Sequence, residues 1–259
     1  MSRVRSWLDT TPIAAVALAL MREATGRDEP HEALEAIRPA RPERMRPDAR
    51  VAFWSLGAGV GSSTTAALVA QRSSAAGHAP VLVDLDRWAP SLALRAGIEA
   101  ATIVDALVQP DRERDLISRW ESVAFLPGSP ELHRDFDVPR VAALLERVAS
   151  GRALVADLGS GAEALDPTLM AHFTRVCLVT GGRASQLQAL FCARPLLRAI
   201  RCPVGLVVVG AEPADAALIA TRAQMPLMCA VPSDAYLARD EFAARAPTMR
   251  AIDALIRSL

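Results

Sequence analysis

Residues 51–65 read Val51-Ala52-Phe53-Trp54-Ser55-Leu56-Gly57-Ala58-Gly59-Val60-Gly61-Ser62-Ser63-Thr64-Thr65. The first six residues are mostly apolar and predict a buried strand, the closely spaced glycines predict a tight turn, and residues 62–76 predict a helix. A strand that enters a helix through such a turn gathers backbone N–H groups and the positive end of the helix at one point. We therefore expect a phosphate-binding site at this turn.

The turn lacks the side chain that usually completes a phosphate site of this kind. A working P-loop carries a lysine immediately before the Ser or Thr that binds magnesium, and here that position holds Ser62. All 29 basic residues are arginine, and the sequence contains no lysine. Arg87 and Arg183, in loops that follow predicted strands, are the candidates for a substitute positive charge.

Composition limits the partners that the chain is expected to bind. Acidic and basic residues are balanced at 29 each, which gives no argument for a nucleic-acid partner or a membrane surface. The apolar run at residues 12–21 is too short to span a bilayer, so no integral membrane segment is expected. The cysteines have no metal-ligand spacing and indicate the reduced thiols of a cytoplasmic protein. They are Cys177, Cys192, Cys202 and Cys229.

Three regions follow from changes in composition along the chain. Residues 1–37 predict a short helical N-terminal extension. Residues 38–50 are rich in proline and arginine and predict an extended linker, because proline blocks both helix and sheet pairing. The arginines of this linker are expected either to be solvated or to make an electrostatic contact with a partner or nucleic acid. Residues 51–259 predict one α/β domain.

Apolar strand patterns alternate with helical patterns from residue 51 onward. Strands are predicted at residues 51–56, 80–85, 122–126, 153–156, 175–179, 204–209 and 227–231. Helices are predicted at residues 62–76, 138–149, 163–173, 183–200 and 213–222, with two more before the C-terminus. This alternation predicts a mostly parallel central sheet with helices on both faces and residues 51–56 in its middle. The carboxyl ends of the strands then meet at one edge, where ligands bind.

The same turn also partly matches a dinucleotide-binding fold. Gly57 and Gly59 are followed by an acid, Asp84, which stands 22 residues after Ser62 at the end of the second predicted strand. Ser62 replaces the third glycine or alanine of that signature. Such a protein would be an oxidoreductase, although no catalytic His, Tyr or Lys constellation is visible. The residues of the turn alone leave this alternative open.

The turn resembles the deviant P-loop of the MinD/ParA family of ATPases, which usually reads KGGVGKTT. In this register Gly57 stands at the signature lysine of the family, Ser62 at the P-loop lysine and Ser63 at the magnesium-binding threonine. The resemblance covers residues 51–259 and implies a P-loop NTPase-like fold. It also implies that nucleotide is bound by Gly57, Ala58, Gly59, Val60, Gly61, Ser62, Ser63 and Thr64.

Further motifs carry this resemblance along the chain. Residues 81–86 look like the second strand of the family, which implies that Asp86 positions the attacking water. Residues 154–157 look like its third motif, which implies that Asp157 approaches magnesium through water. The metal ligands implied in this way are Ser63, Asp157 and Asp84.

The strand-end acids also have a purely structural interpretation, and one further motif belongs to the resemblance. From the residues alone, acids at strand ends are also expected to cap the turn that follows, without any role in catalysis. The loop at residues 231–234 is similar to the adenine-side loop of the family, which implies that Pro232 and Asp234 contact the nucleotide.

Function follows from the resemblance and from the missing lysines together. Residues 125–130, Phe125-Leu126-Pro127-Gly128-Ser129-Pro130, look most like the CpaE/TadZ branch, whose members place pilus or secretion machinery. We expect a degenerate family member that positions or regulates a larger assembly through a protein partner, and the family also implies a homodimer. Weakly bound Mg-ATP and no cofactor at all are equally compatible with the loop. The alternatives are slow ATP hydrolysis through substitute residues and the dinucleotide-binding oxidoreductase.

Overall fold

The computed structural model describes residues 42–77, 80–134, 136–237 and 242–259. The helical extension predicted at residues 1–37 and the start of the linker lie outside the described residues. Eight strands of the described part form one sheet. They are β1 (Arg50–Ser55), β2 (Val81–Asp84), β3 (Ser118–Trp120), β4 (Val123–Leu126), β5 (Leu154–Ser160), β6 (Arg175–Gly181), β7 (Val204–Val209) and β8 (Leu227–Val231).

The first strand lies in the middle of the sheet. The strand order is β3-β4-β2-β5-β1-β6-β7-β8, and every neighbouring pair is parallel except β3 with β4. In this register Ala52 lies beside Ala156 of β5 and Val176 of β6. The predicted α/β fold, with a mostly parallel sheet and residues 51–56 at its centre, is confirmed.

Helices cover both faces of the sheet because successive side chains of each strand point in opposite directions. Val51 and Phe53 belong to a core that includes the helices at residues 62–75 and 246–258. Ala52 and Trp54 belong to a second core that includes the helices at residues 138–148 and 184–197. No helix in the described ranges is both long and apolar enough to cross a bilayer. The helices are α1 (Ser62–Ala75), α2 (Leu92–Ala96), α3 (Ile103–Val108), α4 (Val138–Val148), α5 (Pro167–Met170), α6 (Ala184–Leu197), α7 (Pro213–Ala223) and α8 (Ala246–Ser258).

The prediction of a single helix at residues 163–173 was wrong. The structure has a short 3-10 turn at Ala162–Ala164 and a separate helix, α5, that begins at Pro167. The side chain of Asp166 accepts hydrogen bonds from the N–H groups of Thr168 and Leu169, at 2.8 and 3.1 Å. This N-cap, followed by proline in the first turn, starts a new helix instead of continuing the old one.

Three short elements, β3, α2 and α3, were not predicted; each has six residues or fewer. Of the two helices predicted before the C-terminus, α8 is described, while residues 238–241 lie outside the described residues. All four cysteines are free thiols, and burial raises the pKa of Cys177 to about 12.

Candidate functional site

The turn between β1 and α1 runs from Leu56 to Gly61 at the carboxyl edge of the sheet. Gly59 and Gly61 have φ angles of 73° and 94°, in the left-handed region that residues with a Cβ rarely adopt. Gly61 is the N-cap of α1, and no side chain caps the first N–H groups of that helix. These N–H groups and the positive end of the helix therefore face an anion-binding position.

Hydrogen bonds from neighbouring hydroxyl groups hold the turn in this shape. The Ser55 hydroxyl donates to the carbonyl oxygen of Gly57 at 2.9 Å, and the Thr65 hydroxyl donates to the carbonyl oxygen of Gly61 at 2.8 Å. A Cβ built on Gly61 would lie 3.8 Å from Val209, at the end of β7. The backbone of a phosphate loop is thus maintained by contacts that do not involve a lysine.

The two positions of the family's lysines differ in their surroundings. Ser62, the first residue of α1, has a relative exposure of 8%. Gly57 borders open space, because a Cβ built on it would have Ala189 Cβ as its nearest neighbour, at 4.0 Å. A Cβ at residue 57 would therefore clash with no neighbour. Neither residue carries charge.

Three predicted acids meet beside the phosphate turn. Asp84, the last residue of β2, and Asp157, in the middle of β5, are register partners, and each is 1% exposed. Asp86 follows β2, and a Cβ built on Gly159 would lie only 2.2 Å from the Asp86 Cγ atom. The Ser63 side chain, in the first turn of α1, lies close enough to Asp157 to lower the pKa of that carboxyl. The structure therefore brings Ser63, Asp84, Asp86 and Asp157 together.

Each of these carboxylates also accepts hydrogen bonds from backbone N–H groups that follow it in the chain. The distances between carboxylate oxygen and backbone nitrogen are 3.0 to 3.3 Å. The bonds run from Asp86 and Leu92 to Asp84, from Trp88 and Ala89 to Asp86, and from Gly159 to Asp157. Asp84 and Asp86 therefore have the capping role expected from the sequence, whereas Asp157 bonds to a residue of its own strand.

Two of these carboxyl groups, those of Asp84 and Asp157, have raised pKa values, so their ionised forms are unfavourable. Burial raises the pKa of Asp157 to about 6; the charge of Asp86 also raises it, whereas the Ser63 hydrogen bond and the charge of Arg95 lower it. Burial, and then the charge of Asp157, hold the pKa of Asp84 well above its usual range. A divalent cation would favour the ionised carboxylates.

Arg95 of α2 is the residue of this site that sequence reasoning missed. Its Nη1 atom donates to the Thr64 hydroxyl at 3.1 Å, and its guanidinium carbon lies 4.5 Å from the ring centroid of Phe242. Its charge also lowers the pKa of Asp157. No local signal in the sequence identifies it, because Arg95 and Thr64 are 31 residues apart and meet only through the fold.

The two arginines predicted as substitute cations have contacts elsewhere. The Arg87 guanidinium lies 4.4 Å from the ring centroid of Phe136, and its Nη1 atom donates to the carbonyl oxygen of Glu163 at 3.4 Å. Arg183 is an exposed residue at the N-cap of α6. Within the described contacts, neither side chain reaches the phosphate turn.

The predicted adenine-side loop follows β8 at the same edge of the sheet. Val209 of β7, which lies against Gly61, is the register partner of Val231. Asp234, 7% exposed, accepts hydrogen bonds from the N–H groups of Tyr236 and Arg245 and from the Thr248 hydroxyl, at 3.1, 2.7 and 2.8 Å. Asp234 thus fixes the start of α8, and Pro232 lies two residues before it.

The residues of this site fit only part of what a magnesium-bound, phosphate-bearing nucleotide needs. The backbone of the turn fits phosphates, and Ser63 with Asp157 fits a cation that keeps most of its ligands as water or phosphate oxygen. Protein ligands alone form no cage, since no group of three His, Cys, Asp or Glu side chains in the described ranges is placed to hold a metal ion. The turn itself carries no basic side chain.

Comparison with known proteins gives a match to structures alone. No family model matches the sequence, and no curated protein matches it. A ParA family ATPase from Chlorobium tepidum TLS has a similar structure, with a TM-score of 0.69, 18% identity and coverage of 82% of this chain and 100% of that chain.

Two other solved structures agree with this match. The septum site-determining protein MinD of Pyrococcus horikoshii OT3, complexed with Mg-ADP, gives a TM-score of 0.68 at 18% identity over 81% of this chain and 95% of that chain. A putative plasmid partition protein of Borrelia burgdorferi B31, bound to AMPPNP, gives 0.65 at 16% identity over 82% and 98%. At such low identity the likeness concerns the fold. This chain has the fold of the MinD and ParA ATPases.

Proposed function

We propose that this chain is a degenerate MinD/ParA-like protein that positions or regulates a larger assembly, of the pilus, secretion or partition type, without hydrolysing ATP. One observation carries the proposal. The turn has two glycines in the left-handed region before a helix start that no side chain caps. In the register of the resemblance, Ser62 and Gly57 stand at the two lysine positions, in a chain that contains no lysine. In this proposal the turn has the backbone shape that favours phosphate but lacks the positive charge of the two lysines.

Magnitudes indicate which step fails. A charge-assisted hydrogen bond to phosphate contributes about 1.5–3 kcal/mol, so the Ser62 position alone should weaken nucleotide binding by roughly tenfold to a hundredfold or more. The signature lysine acts across a dimer much as an arginine finger does, and such a charge is worth on the order of 10³–10⁵ in rate. Both losses affect the transition state, so hydrolysis suffers more than binding.

The remaining groups support a binding role. When bound, Mg-ATP would supply a phosphoryl group and a bridging cation. The N–H groups of residues 57–64 would then orient the phosphates, and Ser63 would be held in place by Asp157. Asp86 is fixed by its hydrogen bonds to the following turn, and its carboxylate faces Gly159. Pro232 and Asp234 would border the base.

A protein partner and a homodimer are part of the proposal. One solved structure with this fold is a MinC:MinD complex from Aquifex aeolicus, with a TM-score of 0.65 at 15% identity. The CpaE/TadZ assignment rests on residues 125–130, and Gly128 of this loop packs against the site: a Cβ built there would lie 2.6 Å from Pro90 and 3.0 Å from Asp84.

Slow ATP hydrolysis is the second candidate, and Arg95 is the observation that favours it. A guanidinium that hydrogen-bonds to Thr64 brings one positive charge to the first turn of α1. The oxidoreductase alternative is disfavoured by strand order, since β5 separates β1 from β2, whereas the dinucleotide fold places its first two strands side by side.

Titration of ATP, ADP and NAD into the protein by calorimetry, with and without magnesium, tests the proposal together with an assay of phosphate release. We expect weak magnesium-dependent binding of ATP or none, no binding of NAD, and no phosphate release above a protein-free control. Sedimentation with and without ATP should give the same mass, because no lysine shares the ligand's charge across a dimer. Sustained turnover, or a dimer formed only with ATP, would refute the proposal.

A further inference from the structure

A groove lies between α3 and the start of α4, away from the phosphate turn. It has a volume of about 450 Å³ and is bordered by both apolar and charged side chains. Val104 and Val108, one helical turn apart, form its apolar wall with Leu107, and Val108 is 70% exposed. Such an exposed valine beside a concave surface is the kind of apolar patch that marks an interaction site.

The rim of the groove is positively charged. Arg134 and Arg140 border it, and Arg134 forms no ion pair with any described residue. The Nη2 atom of Arg140 donates to the carbonyl oxygen of Leu107 at 2.8 Å, which holds this guanidinium over the end of α3. Among the described residues of the rim, the acid is Asp137, which is the N-cap of α4 and accepts the N–H of Arg140 at 3.4 Å. In this described part of the rim, two guanidinium groups therefore stand beside one carboxylate that already accepts a hydrogen bond.

Aromatic residues that pack against neighbouring side chains lie at and beside the border of the groove. Phe136 borders the groove, and the Arg87 guanidinium lies over its ring. Trp88, 61% exposed, stacks on His133 with ring centroids 5.3 Å apart, and its Nε1 atom donates to Glu163 at 2.7 Å. His133 directly precedes Arg134 of the rim. Tryptophan and arginine are the residues most often found at the energetic centre of protein interfaces.

We propose that this groove binds a short segment of a protein partner in which one or two apolar side chains are flanked by Asp or Glu. The apolar side chains pack between Val104, Val108 and Phe136, and the carboxylates pair with Arg134 and Arg140. The volume accommodates a few side chains, not a domain.

The inference rests on the proposed function in that the chain acts through a protein partner. Nucleotide titration and peptide binding are separate measurements, so either idea can fail alone. The probe is a phage-displayed random dodecapeptide library, selected on the full chain, with the recovered peptides then synthesised and measured by fluorescence anisotropy. We expect recovered peptides to carry large apolar residues between acids, and their affinity to fall as salt rises.

Paired variants locate the binding. Val108→Asp and Arg134→Glu should each lower the affinity of these peptides about tenfold or more, and Arg134→Glu should also flatten the salt dependence. The controls are Leu94→Asp, at a position 85% exposed outside the groove, and Arg114→Glu, another exposed arginine. Both controls should bind as the wild type does. Unchanged thermal unfolding of all four variants would exclude misfolding.

Several results would overturn the proposal. Recovery of no peptide, recovery of peptides without acids, or equal losses in the control variants would each do so. Sedimentation showing that the wild type self-associates and that Val108→Asp abolishes this would assign the groove to a second copy of the chain. Displacement of the peptides by a single-stranded oligonucleotide at equal concentration would assign it to nucleic acid.

Discussion

The acid-bearing strand ends and the phosphate turn meet at one edge of the sheet but differ in what they keep. The strands on one side carry Asp84, Asp86 and Asp157, all buried and all hydrogen-bonded to backbone. The turn has no basic side chain of its own, and Ser62 and Gly57 stand at the positions that the resemblance aligns with lysines. The carboxylates thus stabilise the folded backbone, whereas the turn has no charged side chain to do so.

This contrast explains how a site can look half complete. Acids that cap turns are needed for stability whether or not nucleotide binds, so their presence is weak support for catalysis. A lysine within the turn would have no such capping role, so the presence of Ser62 and Gly57 at the aligned positions is the more informative observation. The experiments below test the two halves of the site separately.

The largest expected effect is on the acid side. In Gly159→Ala, the new Cβ would lie 2.2 Å from the Asp86 Cγ atom at a φ of 64°, so both the contact and the backbone conformation are unfavourable. We expect the free energy of unfolding to fall by about 3 kcal/mol or more. The matched control is Gly151→Ala, with a φ of 76° and nothing within 4 Å, which should cost about 1–2 kcal/mol. Denaturant unfolding measures both; equal losses would mean that Asp86 is not held against Gly159.

The second effect is a pH dependence of stability. The pKa of Asp157 is raised to about 6 in the folded protein, against about 3.9 in an unfolded chain. Between these values the folded state binds more protons, so this residue makes stability fall as pH rises from about 4 to about 6, by up to roughly 2–3 kcal/mol. Asp157→Asn should remove that part of the fall, whereas Asp111→Asn, in an exposed turn, should not. Unfolding curves that change equally with pH in wild type and Asp157→Asn would contradict the burial of an ionised carboxyl.

The third effect is on the phosphate turn. Ser62→Lys places an ammonium at the family's lysine position and should strengthen ATP binding by about 1.5–3 kcal/mol, or roughly tenfold to a hundredfold. Ser62→Met, similar in length and uncharged, is the control and should bring no gain. Hydrolysis should stay low in Ser62→Lys, since Gly57 still lacks the second charge; adding Gly57→Lys tests whether turnover then appears. Calorimetry that finds no gain in a folded Ser62→Lys variant would mean that the turn is not a lapsed P-loop.

The smallest effect concerns Arg95, which joins the two halves. Arg95→Gln loses the stacking on Phe242 and weakens the bond to Thr64, and should lower the free energy of unfolding by about 1 kcal/mol. It also removes a charge that lowers the pKa of Asp157, so the stability loss due to Asp157 should continue to a higher pH. Arg95→Lys keeps the charge and should preserve that pH profile. Identical pH profiles in wild type and Arg95→Gln would show that Arg95 does not act on the acids.

Strong local patterns in the sequence were enough to predict most of the fold. Long apolar runs such as residues 204–209 predicted β7 with its bounds, because a buried parallel strand is apolar on both faces. β3 escaped prediction because only Trp120 of its three residues is buried. The break at Asp166 was missed because the apolar pattern continues through it. The Asp166 side chain bonds to the backbone N–H groups that follow, and this bonding competes with continuation of the preceding helix.

For the site, the sequence indicated the strand-end acids and the turn but not the arrangement around them. Asp84 and Asp157 were each recognisable at the end of an apolar run, yet their pairing depends on β2 lying beside β5. Arg95 and the close approach of Gly159 to Asp86 depend on tertiary packing and carry no local pattern. Spacing along a chain identifies candidates, and only the assembled sheet shows which of them touch.

The strand order sets a waiting time during synthesis. Val51 of β1 finds its register partners at Val155 and Arg175, which are made 104 and 124 residues later. At ribosomal rates of about 5–20 residues per second, the central strand remains without its first neighbour for roughly 5 to 20 seconds. Throughout that time Val51, Phe53 and Trp54 have no partner strand to pair with. Among the described strands, the one at the centre of the finished sheet therefore waits longest for a neighbour on the nascent chain.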